Sequence, residues 1–288
     1  MNERRKLWIS MSVALFGTSV VAADQDTGLD PGSASTVVVQ DSAQGPGEGE
    51  GEGEGSQAYA GEGEGEGEGE GEGAAPVDIK TDAPAYLTRL GLIRGHLMVG
   101  FTLYSQGEAD MARTHMKHPR DELYAGLVPA IEHRGGRAFD DQLSALATAV
   151  EKGAEQAGVA AAYEALVEAI RAAEDTAETT LSDELLSVMG LLRTAGEEYA
   201  IGVEEGRLVN AHEYQDAWGF TQIAMKRLGE LPQDLRDQAP EVVERVESIV
   251  GDLSELWPEL VPGDSVEGEA SRLYGAAARV ELAALGLE

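Results

Sequence analysis

Between Gly45 and Gly73 the chain alternates glycine with glutamate, placing ten glutamates from Glu48 to Glu72 with almost nothing apolar between them. Such a stretch has no core to bury, glycine carries the largest ordering cost, and the like charges repel. Residues 24–80 are therefore expected to stay unfolded, as an extended acidic Gly-Glu linker. Any fold must be built from the residues C-terminal to it.

In that C-terminal part the pattern turns helical. Asp82-Ala83-Pro84 reads as a helix cap with proline in the first turn. Tyr86, Leu90, Ile93, Leu97, Gly100 and Tyr104 then recur at helical spacing, and Gly107 is the stop. A short helix is predicted over about 108–116, and Pro119 starts another that ends near HRGG. Further helices are predicted over about 137–152, 156–175, 179–203, 209–230, 239–257 and 265–286, with breaks at GRLVN, LPQDL and WPELVPGD. No segment alternates long enough to be a strand. Residues 81–288 thus predict an all-α helical bundle of roughly seven to nine helices, long enough for one core.

The first residues have the form of a signal peptide, 1–23. Arg4, Arg5 and Lys6 precede the apolar run LWISMSVALFGTSVVA, which ends in the small residues Val21-Ala22-Ala23. The run falls short of the roughly 20 residues of a spanning helix, and nothing later is long and apolar enough to enter a membrane. The expectation is a soluble protein exported to the periplasm. The chain has no cysteine, so stability must come from packing, and thiolate metal sites and cysteine nucleophiles drop out. A formal charge of −32 repels nucleic acid and anionic membrane surfaces and suits cations or a partner with a basic surface.

Two stretches concentrate metal-binding residue types. In MARTHMKHPRDELY, His115 and His118 stand three apart. Gly107 should turn the chain back, and His96 precedes it by as many residues as His118 follows it, which puts the two at one height on neighbouring helices. His115, Glu122 and Met111 lie one or two turns away. His96, His115, His118, Glu122 and Met111 form the first candidate site, whose imidazoles and carboxylate suit iron, zinc or copper. Met98, Met111 and Met116 lean towards copper. The alternative makes the same residues structural: His118 before Pro119 as a helix corner, the methionines as core filler.

The second stretch is GEEYAIGVEEGRLVNAHEYQDAWGF, two helices about a turn. Glu198, His212 and Glu213 face each other across it and make a second candidate metal site, or else a solvated helical hairpin. Tyr199, Glu205, Gly206, Val209, Asn210, Glu213 and Tyr214 also match a pattern of the periplasmic helical region that accompanies bacterial high-affinity iron permeases. The string resembles that accessory domain over about 195–255. The permease's Arg-Glu-x-x-Glu motif and membrane helices do not occur in this sequence, nor does the haem-attaching Cys-x-x-Cys-His of some fused versions. The resemblance implies a soluble relative that handles iron or copper, without haem, beside a membrane metal permease.

No Gly-x-Ser-x-Gly, His-Glu-x-x-His or phosphate-binding glycine loop occurs, so neither an enzyme nor a nucleotide cofactor is expected. Two functions compete: a periplasmic metal-binding or metal-delivery protein, and a non-catalytic interaction module tethered by its acidic linker. The second would present an exposed apolar patch, with Trp218 and Trp257 as candidates.

Overall fold

In the computed structural model, which describes residues 77–263 and 265–287, the expected signal peptide and nearly all of the expected Gly-Glu linker lie outside the described residues. The described residues begin with a turn in which the Asp78 carbonyl accepts from the amides of Thr81 and Asp82, both at 2.9 Å. Asp82 then caps helix α1 (Ala83–Gln106), its carboxylate accepting from the Ala85 amide at 2.8 Å. Gly107 closes the helix at φ 91°.

Helix α1 is the axis of the bundle. Every residue from Leu90 to Leu97 is buried, so the helix is covered on all sides rather than along one stripe. Helices α2 (Ala109–His118), α5 (Gln156–Glu174), α6 (Leu181–Gly202) and α7 (Ala211–Glu230) surround it. Outside them lie α3 (Ala125–His133), α4 (Asp140–Glu151), the single turn α8 (Gln233–Arg236), α9 (Pro240–Gly251) and α10 (Ala270–Leu285), the last against α6. The expected all-α bundle is what forms, and among the described residues no helix is long and apolar enough to cross a membrane.

A buried ion network fixes the register of α1, α5 and α7. Glu174 accepts from Arg94 at 2.8 Å and from Arg227 at 2.7 Å, while Arg227 also donates to the Leu87 carbonyl at 3.1 Å. Each charge has a partner of opposite sign, the condition on which burying it is tolerable.

Three local features depart from the expected pattern. His118 is not pushed out of helical geometry by Pro119: its φ of −49° and ψ of −51° continue the helix. The missing proline amide and the bulk of its ring are absorbed by a π-helical turn, Pro119–Tyr124, so that α2 runs through it into α3 without a corner. LPQDL is not a plain break, because α8 starts within it at Gln233. The turn between α6 and α7 carries a two-stranded ribbon, β1 (Val203–Glu204) and β2 (Arg207–Leu208), paired antiparallel. Glu205 and Gly206 have φ of 51° and 75°, the left-handed pair of a type I′ turn whose twist matches such a ribbon. The Gly206 carbonyl accepts from the Val266 amide at 3.0 Å, which anchors the irregular segment before α10.

Candidate metal centre

The site begins with the N-terminal half of α7. Asn210 caps this helix by accepting from the His212 amide at 3.0 Å. The 3.6-residue period then sets His212, Glu213, Gln215 and Asp216 on one face. That face meets α1 because Gly219, the next turn along, lets the two backbones touch. A Cβ there would lie 2.7 Å from the Gly95 carbonyl oxygen and 2.6 Å from Val99 Cγ2. The close approach carries His96 to Asp216, and α2, running back after Gly107, brings His115 and His118.

Four of the chain's five histidines meet around one carboxylate. His96 Nδ1 and His115 Nδ1 stand 2.7 and 2.9 Å from the same oxygen, Asp216 Oδ1. His212 Nδ1 is 3.2 Å from the other oxygen, Oδ2, and 3.7 Å from Glu213 Oε2. The His115 and His212 rings stack at 4.1 Å, and His118 lies 4.7 Å from His212 and 6.4 Å from His96 between ring centroids. The floor of the cluster is sealed: His115 is 0 % and Asp216 1 % exposed. The side chains of His118 and His212 keep 21 % and 18 % exposure and form its outer edge.

Gln215 orients the innermost ring. Its amide nitrogen faces the Leu260 carbonyl at 3.4 Å and Met111 Sδ at 3.5 Å, which leaves Oε1 to meet His115 Nε2 at 2.8 Å. An acceptor at that position requires the proton on Nε2, so Nδ1 is the nitrogen that confronts Asp216. In a neutral ring that atom carries a lone pair. Two lone-pair atoms 2.9 Å apart repel unless a proton or a cation lies between them. Burial pushes the Asp216 carboxyl up, but His96 and His115, through charge and hydrogen bonds, outweigh it and hold the group well below the usual carboxylate range. Burial pushes the His118 imidazole down, against Glu122, with His212 and His96 adding to the lowering.

Within this geometry, His96, His115 and Asp216 present donor atoms within 4.8 Å of one another, and so do His212, Glu213 and Asp216. Imidazole nitrogens with carboxylate oxygens are a donor set for borderline divalent ions such as iron or zinc.

Residues 178–281 match the family model of the iron permease-associated 4-helix bundle domain. No curated protein and no solved structure matches the chain. The resemblance expected over about 195–255 is thus borne out and extends from α6 into α10. The matched segment contributes His212, Glu213, Gln215 and Asp216. His96, His115 and His118 come from α1 and α2, which precede the matched residues.

Residues expected at two separate sites therefore lie side by side. His96, His115 and His118 of the first lie against His212 and Glu213 of the second. Glu122 reaches the edge, 3.4 Å from His118 Nδ1. Met111 stands one residue removed, behind Gln215, while Met98 and Met116 pack with the core. Glu198, the remaining residue of the second expected set, is half-buried on α6. Tyr199 and Tyr214 meet across the hairpin, 6.0 Å apart between ring centroids. Trp257 is no surface patch: it packs against both tyrosines at 5.3 and 5.2 Å and is 9 % exposed. Asp216 and Gln215, the hub and the orienting residue, were not singled out by sequence. The one available signal was the four-residue step from His212 to Asp216.

Proposed function

We propose that this chain is a non-catalytic periplasmic metal-binding or metal-delivery protein. Its cargo is divalent iron, held by imidazole and carboxylate groups around Asp216 and passed to a membrane metal permease. The observation that carries this reading is the convergence of two imidazole Nδ1 atoms on one buried carboxylate oxygen, in contact with a bundle of the iron permease-associated kind. The signal-like N-terminus supports export, and the absence of any catalytic motif supports binding without chemistry. Iron is favoured over copper because the atoms facing Asp216 are nitrogen and oxygen, while the nearest thioether, Met111, is turned to Gln215. The partly exposed His118 and His212 at the rim give an ion a way in and out.

Metal analysis of protein purified from the periplasm without chelator, followed by titration with Fe(II), Cu(I), Cu(II) and Zn(II), tests the proposal. Iron retained through dialysis by the wild type, and lost in His115→Ala, is the expected result. Retention of copper alone would move the cargo to copper. Binding of every ion equally by wild type and variant would end the metal reading.

A further inference from the structure

The two oxygens of Asp216 are used differently. Oδ1 faces His96 and His115, whereas Oδ2 faces His212, with Glu213 beside it. The His115 and His212 rings are parallel to within 4°, yet their Nδ1 atoms address opposite oxygens of the one carboxylate. Stacked rings aimed at different oxygens give two sets of donors side by side, with Asp216 common to both.

We propose that Asp216 bridges two adjacent ion positions, an inner one against His96 and His115 and an outer one against His212 and Glu213. The inference rests on the metal-handling reading above and adds to it the number of ions and their order of exchange. Charge permits it: Asp216 and Glu213 supply two carboxylates, and Glu122 a third at the His118 rim. Access separates the two positions. The inner set is sealed by His115, which has no exposed surface, while the outer set lies beneath His212, whose two ring nitrogens are buried but whose side chain keeps 18 % contact with solvent. The outer ion is thus the one loaded last and surrendered first, and a shared carboxylate makes its affinity depend on the inner ion.

Anaerobic equilibrium dialysis of the full chain against Fe(II), and against Mn(II) as a paramagnetic stand-in, counts the ions. The His96→Ala/His212→Ala double variant sets the background from surface and linker carboxylates. Two equivalents above background are expected in the wild type and one in His212→Ala. The second Mn(II) should produce a spin-coupled electron paramagnetic resonance spectrum, a readout that needs no variant to fold. Brief chelation should remove one equivalent well before the other. One equivalent, abolished by His96→Ala and by His212→Ala alike, would overturn the bridge while leaving a single metal site standing. Two uncoupled ions indifferent to His212→Ala would also overturn it. No equivalent above background would remove the bridge and the metal function together.

Discussion

Gln215 decides which nitrogen of His115 faces Asp216, and it does so from outside the cluster, through one hydrogen bond of 2.8 Å. Orienting partners of this kind are worth about 10–100-fold in metal affinity. Gln215→Leu, which keeps the volume and removes the acceptor, should weaken iron binding by about that factor in competition with a chromophoric chelator, at unchanged helicity. Affinity equal to wild type would show that His115 needs no such partner. His118 makes a second prediction, in the metal-free chain. Its pKa is lowered in the folded protein by burial, so below the unfolded value of about 6.5 the unfolded chain binds the extra proton and the folded chain resists it. This residue's share of stability is complete above that pH and declines as the pH falls through it. Urea melts in chelator at pH 7.5 and 5.5 should therefore show a smaller loss for His118→Gln than for wild type, and an equal loss would refute the assignment. Neither Gln215 nor Asp216 could be picked out of the sequence. In a chain with 53 acidic residues one aspartate carries no distinction until its helix is known to be buried at that point.

At the level of elements, the periodic stretches were readable because a helix repeats its apolar stripe every three or four residues, and the cap at Asp82 and the stop at Gly107 fall where expected. What could not be read is how helices respond to one another. His118-Pro119 signals a break by local geometry, but Pro119, Leu123 and Tyr124 are buried, the chain stays helical and the proline is taken up as a π-turn. Strands of two residues are too short to show a period, so the Glu205-Gly206 turn was visible and its ribbon was not. The contact between α1 and α7 is the element-level feature on which the site depends most. In Gly219→Ala the new methyl would meet the Gly95 carbonyl oxygen at 2.7 Å, and a backbone atom cannot rotate away. The helices must separate, at a cost of about 1–3 kcal/mol, and His96 withdraws from Asp216 as they do. Chemical denaturation and iron titration of the same sample should show both losses. A variant less stable but binding normally would uncouple the helix contact from the site.

Across the whole molecule, the sequence offered two candidate sites whose residues the fold brings together, since His96 and Asp216 are 120 residues apart and no local pattern reports that α1 lies on α7. Each half was nonetheless legible, because histidine is rare in this chain and two of its five stand three residues apart in α2. Closing a site over that distance links metal to global stability. With free iron at about one hundred times the dissociation constant, binding to the folded chain alone contributes about 2.7 kcal/mol. For a bundle of this size that is a rise of roughly 5–10 °C in melting temperature, reversed by chelator and visible by calorimetry. An unchanged melting point would mean that the ion binds folded and unfolded chains alike. The same arrangement bears on how such proteins descend from one another. The segment recognisable as kin, residues 178–281, holds Asp216 and His212 but neither His96 nor His115. A relative can keep that whole segment and still have lost the inner nitrogens, or have replaced them from a different pair of leading helices. The stretch that is recognisable here is shorter than the set of residues that converges on Asp216, and likeness over that stretch alone does not carry the inner nitrogens with it.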